Sequence, residues 1–105
     1  SFHGGVDIRG DYGTPVYAAA DGIVLMAKYN GSYGKSIRIK HNETYETVYG
    51  HLATYKVKPG DKVKKGDIIG TIGSTGRSTG PHLHYEIISN GEQIDPTPFL
   101  NLSKE

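Results

Sequence analysis

The chain has 105 residues, a length that allows one domain with a single modest hydrophobic core. Its 12 basic and 11 acidic residues leave a formal net charge of +1, which gives no electrostatic case for binding nucleic acid or a membrane surface. It has no cysteine, and no apolar stretch of the roughly 18 residues that a transmembrane helix needs. There is no signal peptide, and a candidate functional residue lies almost at the first position, so we expect a domain excised from a longer protein.

Short β-type segments alternate with turn residues along the chain, and no segment of about 10–12 residues has helical periodicity. The predicted strands are 15–19, 23–27, 36–41, 43–52, 67–72 and 82–89, followed by a short final strand. We expect a hairpin at Asp21-Gly22 joining the first two strands, and turns at 58–61 and 90–91. The 15 glycines between these segments are about twice the usual share of ~7%. The pattern predicts an all-β sandwich or barrel.

Four of the five histidines lie in patterned places. His82 and His84 are two apart on a predicted strand, so their side chains point to the same face. Alone, they are more often ordinary half-exposed residues. His3 and Asp7, which paired glycines can bring together, complete a His, Asp, His set, a standard ligand set for catalytic zinc. The joint pattern predicts a zinc site, in which either His82 or His84 could be the ligand.

The ligand chemistry favours catalysis over a structural role. One carboxylate and two neutral imidazoles leave a bound Zn²⁺ able to polarise a carbonyl and to lower the pKa of bound water toward ~7. A structural site would use four protein ligands, often the thiolates that this chain lacks. His51 is a candidate for proton transfer or for hydrogen bonding to an oxyanion. His41 is assigned no role, and Glu86 is open to orienting a ligand or to being a solvated carboxylate.

A loop of small residues, 73–81, leads directly into the His-x-His strand. Small side chains would let a peptide lie close to the metal, and the hydroxyls could bind it; an ordinary loop is the alternative. The weak candidates for substrate binding are Tyr33, Ser74, Thr75, Arg77 and Ser78. For Tyr33, a core or rim position is an equal alternative, and the lysines around the 58–61 turn indicate a solvated hairpin.

His3-x-x-x-Asp7, the YGHL motif at 49–52 and the GPHLHYE motif at 80–86 resemble the motifs of the lysostaphin/LytM-type zinc metallopeptidases. That family cuts the peptide part of bacterial peptidoglycan. The resemblance covers nearly the whole chain, including segments 13–16, 21–22, 57–61 and 73–81. It implies one zinc ion per chain, held by His3, Asp7 and His84, with His51 and His82 as the two non-ligand catalytic histidines.

The resemblance also implies the fold and the biological setting. The fold is a small antiparallel β-sandwich of the barrel-sandwich hybrid type, with a metal-binding groove, and residues 1–105 form one LytM-type peptidase domain. The run 74–86 is closest to the murein D,D-endopeptidases of Gram-negative bacteria, which cleave D-alanyl–diaminopimelate cross-links. This implies a monomeric enzyme of the periplasm or cell envelope that acts on peptidoglycan peptides, without nucleic acid or membrane contact.

Three alternatives stay open. Lysostaphin-like members cut glycine bridges with the same catalytic residues. Degenerate relatives bind or activate other cell-wall hydrolases without catalysis, but they have typically lost ligands that this chain retains. A biotinyl-like carrier domain would need a lysine between two methionines, which the chain lacks. Family domains usually have a strand and loop before the first histidine; their absence from this sequence could reduce metal affinity or activity.

Overall fold

The computed structural model describes residues 4–96, and this part of the chain contains nine strands and one short 3₁₀ turn, Gly31–Tyr33. The strands are β1 (Val6–Arg9), β2 (Pro15–Tyr17), β3 (Gly22–Tyr29), β4 (Lys35–Lys40), β5 (Tyr45–Tyr55), β6 (Lys62–Val63), β7 (Ile68–Ile72), β8 (His82–Ser89) and β9 (Glu92–Ile94). Their pairings are antiparallel. The predicted all-β, antiparallel architecture is confirmed. In the described residues, no helix is long and apolar enough to cross a bilayer.

The central strand, β5, has one continuous neighbour and one divided edge. β4 lies along the first edge, while β8 pairs with residues 45–50 and β7 with residues 52–55 of the other. One edge of β8 is divided in the same way, between β1 along 82–85 and β9 along 87–89. His51 and Glu86 lie at these two divisions, where one neighbouring strand ends and the next begins.

The core is formed by side chains of the paired strands. Ile37 and Ile39 of β4 are both fully buried, as the apolar–polar alternation of this segment predicts. Leu52 of β5 and Ile69 of β7 are also fully buried, and they pack in the same cluster. This cluster supports the strands whose ends carry the histidines.

The hairpin predicted at Asp21-Gly22 is wrong. β2 pairs with β7, and β3 pairs with β4 and β6, so the two segments expected to form the hairpin have other partners. The Asp21 side chain instead accepts a hydrogen bond from the Lys65 backbone N–H at 2.8 Å, and its carbonyl oxygen accepts one from His41 Nδ1 at 2.7 Å. These long-range contacts outweigh the local turn preference. The turn at 90–91 is confirmed, with positive φ at Asn90 (51°) and Gly91 (82°).

Candidate active site

Antiparallel pairing of β1 with β8 brings Asp7 to the two strand histidines. Asp7 is the direct partner of His84, so the two side chains lie on the same face. Asp7 Oδ1 lies 2.9 Å from His84 Nδ1 and 3.6 Å from His82 Nε2. The hydrogen bond to His84 is the largest effect on the Asp7 carboxyl, and its pKa is lowered. The structure thus brings together three predicted site residues, while His3 lies outside the described residues.

Glu86 holds the second ring nitrogen of His84. Its Oε2 accepts a hydrogen bond from His84 Nε2 at 2.9 Å and another from the Tyr33 hydroxyl at 2.8 Å. Its Oε1 accepts a third, from Gln93 Nε2 at 3.0 Å. Burial alone would raise the pKa of the Glu86 carboxyl, but the donors outweigh burial and the pKa is lowered. Glu86 is 2% exposed, so it orients His84 and is not a solvated carboxylate.

Asp7 and His84 fit two places in a metal site. Both ring nitrogens of His84 hydrogen-bond to carboxylates, Nε2 to Glu86 and Nδ1 to Asp7, and these bonds, that to Glu86 first, raise the pKa of the ring. A metal cation beside Asp7 would take the place of the Nδ1 proton, because Glu86 would keep the proton on Nε2. A carboxylate-supported imidazole beside a second carboxylate is a donor pair that zinc prefers. Within residues 4–96, no group of three such side chains surrounds one point, and the third predicted ligand is His3.

The backbone of β5 is distorted at His51. Its φ is 61°, and the register of β5 against β4 is irregular between Tyr49 and Leu52. The left-handed conformation costs roughly 1–2 kcal/mol for a residue with a Cβ, and such bulges re-aim side chains beside active sites. The Nδ1–H of His51 donates to the Thr75 carbonyl at 2.7 Å. Since a carbonyl only accepts, the proton of neutral His51 lies on Nδ1 and Nε2 is an acceptor; burial lowers the pKa of this ring.

His82 lies directly beside His51, with 4.7 Å between ring centroids. Its Nδ1–H donates to the Gly80 carbonyl at 2.9 Å, which leaves Nε2 available here as well. Gly73 joins the two histidine backbones: its N–H donates to His51 O at 3.0 Å, and its carbonyl accepts from His82 N–H at 3.2 Å. A Cβ at Gly73 would lie 2.6 Å from Ala53 N, so a larger residue would push this backbone away from β5. Two imidazoles with oriented Nε2 atoms are suited to proton transfer.

A cleft of about 250 Å³ opens onto this cluster. Its lining residues are Gly4, Ser32, Tyr33, His51, Arg77, His84, Glu86 and Gln93. Arg77 is exposed, and in the described part of the chain its guanidinium has no acidic partner. Among the described residues, the Arg77 cation is therefore open to a ligand in the cleft.

The hydroxyl groups predicted to bind substrate make contacts within the fold. The Thr75 hydroxyl donates to Leu52 O at 2.6 Å, and the Ser74 hydroxyl donates to Ser78 Oγ at 3.1 Å. Ser78 donates in turn to the Gly80 carbonyl at 2.7 Å, while the Tyr33 hydroxyl is held by Glu86. Substrate binding by these residues and by Arg77 stays a prediction.

Sequence reasoning missed Gln93 and the carbonyl group of Thr75. Gln93 follows the 90–91 turn and pairs with Ile88, which makes it a diagonal neighbour of Glu86 on one face of the sheet. The turn signal therefore held enough information to place Gln93 beside Glu86. The sequence gives no comparable indication of the Thr75 contact, because every residue has a backbone carbonyl.

Comparisons with known proteins agree with this geometry. The chain matches the model of peptidase family M23 over residues 1–96. It is similar to the peptidoglycan DD-endopeptidase ShyC of Vibrio cholerae, with 49% identity over 94 residues that cover 90% of this chain and 22% of that protein. The chain thus spans about a fifth of that relative's length.

Two solved structures share the fold. The catalytic domain of lysostaphin from Staphylococcus simulans has a TM-score of 0.89 at 42% identity, covering 94% of this chain and 79% of that one. A zinc-containing peptidase from Vibrio cholerae has a TM-score of 0.84 at 40% identity, covering 86% of this chain and 28% of that one. The predicted lysostaphin/LytM-type fold is confirmed. The chain belongs to peptidase family M23.

Proposed function

We propose that this chain is a zinc-dependent endopeptidase domain that hydrolyses the D-alanyl–diaminopimelate cross-links of bacterial peptidoglycan. The observation that carries the proposal is the convergence of Asp7, His84, His82 and His51 on one face, beside an open cleft. Family membership and the similarity to a named DD-endopeptidase support the reaction and the substrate. A peptidoglycan substrate places the domain in the periplasm or cell envelope.

His3, Asp7 and His84 would hold the metal, one ion per chain. When bound, zinc supplies a Lewis acid for the scissile carbonyl and for the attacking water. Asp7 contributes the anionic ligand, and Glu86 keeps the proton of His84 on Nε2 so that Nδ1 is free for coordination. The similar zinc-containing peptidase supports zinc as the metal.

His51 and His82 would move the protons of the reaction. Both rings are held by carbonyl acceptors at Nδ1, so in the neutral form each keeps Nε2 as an acceptor. One Nε2 accepts the proton of the attacking water; the other histidine, in its charged form with a second proton on Nε2, would donate a hydrogen bond to the developing oxyanion. One of the two then protonates the leaving amine.

Arg77 favours the D,D bond over a glycine bridge. Arg77 lines the cleft, and its backbone is held in place, because the Arg77 N–H donates to Ser32 O at 2.9 Å. Gly76, at a φ of 75°, lies so close to Gly34 that no side chain fits between them, which holds the two loops together. The leaving group at a D-alanyl–diaminopimelate bond has a carboxylate next to the scissile bond, whereas a glycine bridge has none there. An arginine at the cleft can pair with such a carboxylate through two parallel hydrogen bonds.

The test is a mass-resolved digest of purified muropeptide dimers by the zinc-loaded chain. We expect conversion of D-alanyl–diaminopimelate dimers to monomers, blocked by a zinc chelator and restored by added zinc. Glycine-bridged peptides serve as the matched substrate control. Cleavage of the glycine bridge alone would overturn the D,D assignment, and a zinc-loaded chain that cuts neither substrate would overturn the endopeptidase proposal.

A further inference from the structure

The strand edge beside the proposed metal site is interrupted at Glu86, and we call this break the seam. Along one edge of β8, the ladder of β1 ends opposite Tyr85 and the ladder of β9 begins opposite Ile87, so Glu86 lies where the two strands meet. Gly5 packs onto this point so closely that a Cβ would collide with the Tyr85 carbonyl and the Glu86 side chain. The segment that leads into β1 therefore depends on contacts at Glu86.

Gln93 spans the seam. Its Oε1 accepts a hydrogen bond from the Gly4 backbone N–H at 2.5 Å, and its Nε2 donates to Glu86 Oε1 at 3.0 Å. Gly4 and Gln93 are 89 positions apart in the chain, so this side chain joins the two ends of the described fold. A carboxylate needs a donor and a backbone amide needs an acceptor, and a neutral carboxamide supplies both.

We infer that Gln93 is a positioning residue for the metal site, which holds segment 4–7 in register with His84. The inference rests on the proposed function, since it assumes that Asp7 of this segment is a metal ligand. Gly4, with a φ of 92°, and Gly5 give the segment high conformational freedom, which must be lost before Asp7 and His84 can act together. Gln93 restrains Gly4 directly, and through Glu86 it also restrains the ring of His84.

The experiment compares Gln93→Met with the wild-type chain, using Glu92→Ala as the matched control. Methionine has similar length but supplies neither hydrogen bond, and Glu92 is the exposed neighbour on the same strand. Zinc affinity is measured by competition with a chromophoric chelator. We expect Gln93→Met to bind zinc 10–100-fold more weakly, as is typical for loss of a residue that supports a metal ligand, with the control unchanged.

Two further readouts separate positioning from general stability. In the zinc-free chain, the Gly4 amide should exchange with solvent faster in Gln93→Met than in the control. Urea unfolding of the zinc-free variants measures any loss of fold stability. Reduced stability with unchanged zinc affinity would overturn the inference, because it would make Gln93 a structural residue only. A wild-type chain that binds no zinc would overturn the metal site and this inference together, whereas zinc binding without peptide cleavage would overturn only the proposed reaction.

Discussion

Two regions of the molecule are built by opposite means. The turns at 58–61 and 64–67 repeat one pattern, Lys-x-Gly-Asp, and in each the aspartate accepts a hydrogen bond from the lysine N–H three residues earlier, at 3.0 and 2.9 Å. Around the histidines, the bonded residues are distant in the chain: 24 positions for His51 and Thr75, and 77 for Asp7 and His84. The conformation of the two turns is determined by residues close in sequence, and the arrangement of the histidines is determined by the register of the strands.

The same difference appears in backbone conformation. Gly60 and Gly66 reach φ values of 94° and 89° in their turns without steric cost. His51 adopts a φ of 61° against its own preference, held there by its place between two partner strands and by the Thr75 carbonyl. Strain of this kind persists only where the surroundings impose it, and it is concentrated at functional sites. Substitutions should therefore be costly to function at the histidines and mild at the turns.

The largest effect is expected at Asp7. Asp7→Ala removes the anionic ligand, so we predict loss of stoichiometric zinc and of cross-link cleavage. Since the Asp7 side chain is 65% exposed, the fold should survive the change. Zinc content after dialysis and the initial rate of dimer cleavage measure the two effects. Asp11→Ala, an exposed aspartate in the following loop, is the control; a zinc-loaded, active Asp7→Ala chain would contradict the ligand assignment.

A smaller effect, with zinc retained, is expected at His82. We predict that His82→Ala lowers kcat by about 10²–10³-fold, because it removes a proton-transfer or oxyanion-binding group and leaves the proposed ligands in place. His41→Ala is the matched control, since that ring bonds to Asp21 and Thr47 away from the cleft. Steady-state cleavage rates of the two variants at equal zinc content measure the loss of kcat. Near wild-type turnover by folded, loaded His82→Ala would remove His82 from the mechanism.

The sequence predicted the fold class and the shared face of His82 and His84, because both follow from short-range patterns. Alternation identified β4 and β8, and residues two apart on a strand share a face; the structure brings Asp7 beside both histidines, while their roles at a metal stay a prediction. The prediction of a hairpin at Asp21-Gly22 was wrong because Asp21 accepts hydrogen bonds from Lys65 and His41, which lie in distant parts of the chain. The sequence could not predict the bulge in β5 or the junction on β8, since both depend on where the partner strands begin and end.

The strain at His51 can be measured directly. His51→Gly and His51→Ala both remove the imidazole, but only glycine adopts a positive φ without steric cost, so the glycine variant should be more stable by about 1 kcal/mol. Urea unfolding of the zinc-free variants gives the difference. The same pair of substitutions at Asn90, which has a φ of 51° in a local turn, provides the comparison. Equal stability of the two His51 variants would show that the conformation stores no strain.

The smallest effect is expected in the local region, at Asp61, and it depends on pH. The hydrogen bond from the Lys58 backbone N–H, and then that from the Lys58 ammonium, lower the pKa of this carboxyl below its usual range. A pKa lowered by folding means that ionised Asp61 stabilises the fold above about pH 4, and that this stabilisation is lost as the pH falls through the folded-state pKa. Asp61→Asn keeps a side-chain acceptor but has no charge.

The free energies of unfolding of wild type and Asp61→Asn should therefore differ modestly at pH 6 and converge toward pH 2, since the group is exposed and solvent screens it. Urea titrations in the presence of chelator measure the gap, with Asp11→Asn as the matched exposed change. A gap that stays constant across this range would show that the charge of Asp61 does not stabilise the turn. A gap as large as the difference in stability between His51→Gly and His51→Ala would remove the contrast between the two regions, because a local turn would then matter to the fold as much as the long-range site does.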